Sequence, residues 1–167
     1  MFDDMMHEVS DWENEDEVRE YLARLLHKDA FDHAGLIYGL GHAVYSKSDP
    51  RAVIFKSYVE KLSQEKGLEK EFALYSLVER LAPQVIEEER QMYKGVSINV
   101  DFYSGFVYDM LGIESDLFTP LFAVSRIAGW CAHRIEEITY GGRIIRPAYR
   151  SMVKSTGYVP LDERTAD

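Results

Sequence analysis

The chain has 167 residues, 46% hydrophobic and 29% charged, which is enough apolar material for a cored domain and excludes a disordered or collagenous chain. A net charge of −10 argues against nucleic acid as the main partner, since phosphate binding needs a concentrated basic face. No apolar run approaches the roughly 20 residues of a bilayer span, Met1-Phe2-Asp3-Asp4-Met5 lacks the basic and apolar regions of a signal peptide, and the single Cys131 fits a reducing compartment, so a cytoplasmic protein that binds no membrane is expected.

Acid dominates residues 1–33, whereas residues 141–155 carry Arg143, Arg146, Arg150 and Lys154 with no acid. The first strong element is a helix from Glu15 to Lys28. Asn14 is its N-cap, three acids fill its first turn, and Val18, Tyr21, Leu22, Leu25 and Leu26 form one apolar face. Asp49-Pro50 reads as N-cap and first helical residue, with Phe55, Tyr58, Val59 and Leu62 at helical spacing and Gly67 as the stop. Leu74, Leu77, Val78 and Leu81 repeat the pattern up to Pro83, which should break or kink the chain before a further stretch to Tyr93. A short helix follows from Asp101 to Leu111, closed by Gly112. The longest element runs from Leu117 to about Ile138, where Leu121, Val124, Ala128, Cys131, Ile135 and Ile138 step by threes and fours as a buried seam does. Leu36-Ile37-Tyr38 and Val96-Ser97-Ile98 are short strand candidates that could equally be loop. The expected fold class is all-α.

Packing leaves three stretches unexplained. The first is the glycine run Gly35 to Gly41, with His42 beside it and Arg51 beyond. It has neither the ending of a Walker loop nor the spacing of a dinucleotide fingerprint. Arg51 falls in the first turn of a helix, where the dipole disfavours a cation, so gripping a carboxylate is a better use for it. The second is Asp101, among Val100, Phe102, Tyr103 and Phe106. It can N-cap the helix beginning at Phe102, or act as a base strengthened by apolar surroundings, or both. The third is Phe122 with Arg126, one helical turn apart, together with Arg146. An arginine inside the apolar stretch Leu121 to Cys131 needs an anionic partner, either a structural salt bridge or a dicarboxylate ligand.

Five motifs then occur in one order: Gly39-Leu40-Gly41-His42-Ala43-Val44-Tyr45, Ser48-Asp49-Pro50-Arg51, Asn99-Val100-Asp101-Phe102-Tyr103-Ser104-Gly105, Phe118-Thr119-Pro120-Leu121-Phe122-Ala123-Val124-Ser125-Arg126, and Arg146-Pro147. Together they resemble the citrate synthase family, over roughly residues 12–150. The resemblance implies a multi-helical small domain over 1–116, then a long C-terminal helix and irregular tail over 117–167 that belong to the large domain in the family. It also implies a Claisen condensation of acetyl-CoA with oxaloacetate, followed by hydrolysis of the thioester with water, giving citrate and CoA. A thioester methyl is a weaker acid than a carboxylic acid by more than about ten pKa units, or roughly 14 kcal/mol, so a base must be helped by hydrogen bonds to the enolate in a dry site.

By that resemblance Asp101 is the base and His42 binds the oxaloacetate carbonyl. Arg51, Arg126 and Arg146 hold the substrate carboxylates, and Phe122 packs on the substrate. Leu36, Ile37, Tyr38, Gly39, Leu40 and Gly41 surround the CoA adenine, with Asn99 also assigned to CoA. Acetyl-CoA is a substrate, and no cofactor or metal is implied. A homodimer is expected, with the family's Arg146 counterpart reaching the other subunit's site.

One departure stands out. The family uses a second catalytic histidine followed by Gly-Gly, and none of His7, His27, His33, His42 and His133 has that sequence after it. The chain is thus expected to correspond to the C-terminal part of such an enzyme, lacking the N-terminal large domain, and to be inactive alone. A 2-methylcitrate synthase fragment is an alternative, as is a non-catalytic helical CoA-binding or interaction module. Cys131 is assigned to the core, and His133 and Arg134 to the surface or an interface.

Overall fold

A computed structural model describes residues 1–45, 47–91, 95–141 and 160. These residues form α1 (Phe2–Glu8), α2 (Glu15–Leu26), α3 (Pro50–Lys66), α4 (Glu69–Arg90), a 3-10 turn (Val100–Phe102), α5 (Ser104–Met110), a second 3-10 turn (Ser115–Leu117) and α6 (Phe118–Tyr140). The fold is all-α: among the described residues the extended chain amounts to one isolated antiparallel bridge, Leu40 to Ile98. The chain divides into two compact units, Met1–Ala123 and Val124–Asp167.

The first unit is built on α2 and α4, which pack along each other. Asn14 caps α2 as its sequence implies, its side-chain oxygen accepting the Asp16 and Glu17 amides at 3.0 and 3.4 Å. Glu17 reaches back to the Ser10 and Asp11 amides, each at 3.1 Å, so the turn entering the helix is closed from both sides. Replacing Asn14 by Ala is expected to cost about 1 kcal/mol in urea unfolding, and a loss below about 0.3 kcal/mol would show that Glu17 alone holds this start. The buried face of α2 carries Val18, Tyr21, Leu22 and Leu25. Its outer edge is tied to α4 by Arg19–Glu88 and Arg80–Glu15, both at 2.6 Å.

Pro83 neither breaks nor ends its helix: α4 runs unbroken from Glu69 to Arg90. Proline there removes the bond to the Glu79 carbonyl, at a cost of about 3 kcal/mol, but Leu81, Ala82, Val85 and Ile86 are all buried and hold both flanks in the core. α1 is an element that periodicity did not reveal, because seven residues are too few to show a helical repeat. It is held by Phe2, whose ring stacks on Tyr75 at a centroid distance of 3.5 Å. Tyr75 also stacks on Phe106 at 4.7 Å, and Phe102 meets Tyr103 edge-on at 5.0 Å, so the second motif-rich stretch is anchored by its aromatics.

In the second unit the seam expectation fails. Val124, Ala128, Cys131, Ile135 and Ile138 are exposed, as is Leu121 in the first unit, and α6 has no buried residue. A helical apolar stripe records that a partner surface is needed, not that these residues supply one. The polar edge of α6 closes on itself through Arg134–Glu137 at 2.6 Å, and His133 and Arg134 are at the surface as read.

Candidate functional site

Two loops distant in sequence are stitched side by side. The Gly41 amide donates to the Ser97 carbonyl and the Asn99 amide to the Gly39 carbonyl, each at 2.8 Å. The Asn99 side-chain amide adds a bond to the Gly41 carbonyl at 2.9 Å. Gly39 has φ +82°, and a β-carbon on it would stand 2.6 Å from the Phe102 Cα, so only glycine lets the run lie against the 3-10 turn. This stitching brings the segment bearing His42 next to the segment bearing Asp101. The two strand candidates shrink to the one bridge because the close approach spans only residues 39–41 and 97–99.

Asn99, not Asp101, caps the turn: its side-chain oxygen accepts the Asp101 amide at 3.0 Å. The capping role read for Asp101 is therefore wrong, and so is its apolar burial. Phe102 and Tyr103 point into the core, while Asp101 between Val100 and Phe102 is exposed. Asp101 lines a cavity of about 360 Å³ together with Tyr38, Gly39, Tyr75, Asn99 and Phe118.

Asp49 caps α3, as its sequence implies, and it does more. It is buried, and its Oδ1 accepts both the backbone N–H and the Nε–H of Arg51 at 3.0 Å, while Oδ2 accepts Nη2–H at 2.8 Å. The hydrogen-bonded guanidinium holds the Asp49 carboxyl down at about 2. Arg51 is raised above its ordinary value, by the Asp49 hydrogen bond foremost, with the Asp101 charge contributing. The carboxylate that the first-turn arginine grips is thus internal. Arg51 is nevertheless about half exposed, with the Tyr45 ring 5.5 Å beneath its Cζ.

His42 Nδ1 accepts the Val44 and Tyr45 amides at 3.0 and 3.1 Å. Two donors on Nδ1 place the proton of the neutral ring on Nε2. His42 Nε2 lies 3.4 Å from Arg51 Nη2. Since both carry hydrogen, they are two donors side by side, and what satisfies them is an oxygen acceptor, anionic for preference.

The glycine run lines a second, apolar groove of about 160 Å³ formed by Leu26, Leu36, Ile37, Leu40, Ile86 and Val96. Leu36 and Tyr38 are exposed, Ile37 is buried, and Gly39, Leu40, Gly41 and Asn99 are half-buried. The site thus draws together His42, Arg51, Asn99 and Asp101. Phe122 is exposed on α6 in the first unit, Arg126 lies in the second unit, and Arg146 falls outside the described residues. A larger groove of about 680 Å³ between residues 10–13 and the start of α4 is lined by Asp11, Trp12, Glu13, Glu69 and Lys70 and by none of these residues, so volume alone does not locate the site. Sequence reasoning missed the Asp49 grip on Arg51 and the Tyr45 ring under it. An aspartate two residues before a first-turn arginine was the available signal.

The model of the citrate synthase C-terminal domain matches residues 2–148. The citrate synthase of Synechocystis sp. is 37% identical over 161 residues, 96% of this chain and 37% of that protein. The citrate synthase of Haloferax volcanii is 41% identical over 138 residues, 82% of this chain and 34% of that protein. Among solved structures, the Thermoplasma acidophilum citrate synthase in ternary complex with carboxymethyl coenzyme A and oxaloacetate superposes with a TM-score of 0.57 at 32% identity, over 88% of this chain and 42% of that one. The Pyrobaculum aerophilum citrate synthase gives 0.60 at 30% identity, over 90% and 36%. The chain spans about a third of the length of these curated relatives.

Proposed function

The chain belongs to the citrate synthase family, and from that premise we propose that His42, Arg51 and Asp101 are its contribution to a site that condenses acetyl-CoA with oxaloacetate, the resulting thioester then being hydrolysed by water to citrate and CoA. The observation that carries the reading is the donor pair. His42 Nε2 and Arg51 Nη2, 3.4 Å apart, fit the ketone and carboxylate oxygens of a 2-oxo dicarboxylate. The carbonyl oxygen gains negative charge as the new carbon–carbon bond forms, and the His42 Nε2–H is aimed to bear it. Asp101, exposed on the neighbouring loop, serves as the base for the thioester methyl. The apolar groove beside the glycine run suits a flat heteroaromatic ring such as the adenine of CoA. Phe122, Arg126 and Arg146 take their family roles as substrate contacts in the same proposal, with a dimer as the assembly.

NMR titration tests this directly. Oxaloacetate added to the labelled chain should move the Arg51 Nε–H and the Val44 and Tyr45 amide resonances together, with Kd on the order of 1 mM, and Arg51→Ala should abolish the response at the two amides. Amide shifts that persist in Arg51→Ala would overturn the reading. The same 167 residues, containing no histidine followed by Gly-Gly, are expected to release no CoA from acetyl-CoA and oxaloacetate. CoA thiol appearing above the no-protein rate contradicts that expectation.

A further inference from the structure

We propose that Glu79 is the positioning residue that sets the distance between Asp101 and Arg51, through the Tyr103 hydroxyl on one side and Lys56 on the other. One oxygen of Glu79, on α4, accepts from the Tyr103 O–H and from Lys56 Nζ, each at 2.6 Å. Tyr103 is fully buried and ends the 3-10 turn that holds Asp101 two residues earlier. Lys56 stands on α3, five residues after Arg51. Three elements therefore meet at a single carboxylate atom, and two of them carry the two charged groups of the site. Among the described residues no main-chain hydrogen bond joins α3 to the turn, although the two lie against each other, whereas the backbone stitching ties residues 97 and 99, just before the turn, to residues 39–41.

The Tyr103 ring alone does not explain the arrangement. A buried phenol needs some acceptor, but a neutral one would do. A carboxylate shared with a lysine adds direction, because charge-assisted bonds are short and tolerate little displacement. The expected consequence is geometric rather than global: without the shared oxygen, α3 and the turn keep their packing and lose their fixed spacing. Glu79 was one acid among 29 in the sequence, and Tyr103 was named only as a neighbour of Asp101 and a motif residue, so nothing there joined the two.

The inference rests on the proposed roles of Arg51 and Asp101, and its test has a readout of its own. The Arg51 Nε–H, bonded to Asp49, is the reporter, and the displacement of its resonance by Asp101→Asn measures how strongly the two residues feel each other. That displacement should be clear in the wild-type background and only partly retained in Glu79→Gln, whose amide oxygen still accepts the Tyr103 O–H but lacks the charge that holds Lys56. In Tyr103→Phe and in Glu79→Ala it should fall by at least about half, and the two losses should not add in the double variant. Tyr103→Phe conserves volume and carries the test if Glu79→Ala does not fold, with circular dichroism as the check. Equal displacement in all folded backgrounds, or none in the wild type, overturns the inference. Oxaloacetate titration of the wild type is read separately. A chain that ignores oxaloacetate but shows the Glu79-dependent displacement loses the substrate reading and keeps the positioning one.

Discussion

Gly39→Ala is expected to destabilise the chain by about 2–5 kcal/mol and to abolish the oxaloacetate-induced shifts at His42's amide donors. Two independent penalties combine. A non-glycine residue at φ +82° costs about 1–2 kcal/mol. The added methyl group would stand 2.6 Å from the Phe102 Cα and 2.9 Å from its Cβ, and neither backbone can yield cheaply, so overlap adds about 1–3 kcal/mol. Against a typical domain stability of about 5–15 kcal/mol that is a large share. The chain can relieve the overlap only by moving residues 39–41 away from 97–99. That movement breaks the two 2.8 Å amide bonds and the Asn99 tie to Gly41, which are the bonds that set the segment bearing His42 beside the segment bearing Asp101. Gly41→Ala is the control. Its φ is also positive, at +85°, but nothing lies within 4 Å of its β-carbon position, so only the conformational penalty of about 1–2 kcal/mol applies. Urea unfolding of the two variants should separate them by more than about 1 kcal/mol. Equal losses would mean that the approach to Phe102 is not tight in solution.

The glycine comparison shows where local sequence stops being informative. Helix caps are local events, and they were legible: Asn14, Asp49 and Gly67 stand where a side-chain oxygen or a left-handed backbone was expected. Pro83 was misread because its penalty is local while the burial that outweighs it is tertiary. The α6 stripe was misread in the opposite sense, since periodicity reports a need for burial and says nothing about who meets it. Within the site, His42, Arg51 and Asp101 were visible as motif residues. Their grouping came from the family resemblance and not from the spacing of the residues, because it depends on Gly39 clearing Phe102 and on Glu79 reaching Tyr103, contacts between residues tens of positions apart. Asp101 shows the same limit at short range. Its neighbours are apolar in sequence, yet consecutive residues of a turn point in different directions, so apolar company did not bury it. Asp49 falls between the two cases. The cap was readable, while the second task of its carboxylate, holding the Arg51 guanidinium, depends on a side chain turning back across the cap.

That second task makes Asp49→Asn the sharpest electrostatic test. Asparagine caps a helix as well as aspartate, so α3 should begin where it does now. What is lost is the ionic hold on a guanidinium that otherwise has its Nε and Nη2 fixed by one buried carboxylate. Oxaloacetate affinity is expected to fall about tenfold, because the Arg51 fork must then be ordered by the ligand itself. Stability should respond to pH with a definite sign. The Asp49 carboxyl titrates at about 2 in the folded chain against an ordinary value of 3.8, so the folded state favours its ionised form. Its contribution is fully present above about pH 4 and drains away as pH falls through about 2, below which both folded and unfolded chains are protonated. Other acids with lowered values, such as Glu15 beside Arg80 and Asp32 beside Tyr38, titrate in both proteins and cancel in the comparison. The wild type should therefore melt above Asp49→Asn at pH 6, and the gap should close as pH is lowered from about 4 to about 2. A gap that stays constant over that range would mean that the Asp49 charge does not stabilise this fold, and that Arg51 is oriented by something other than that charge.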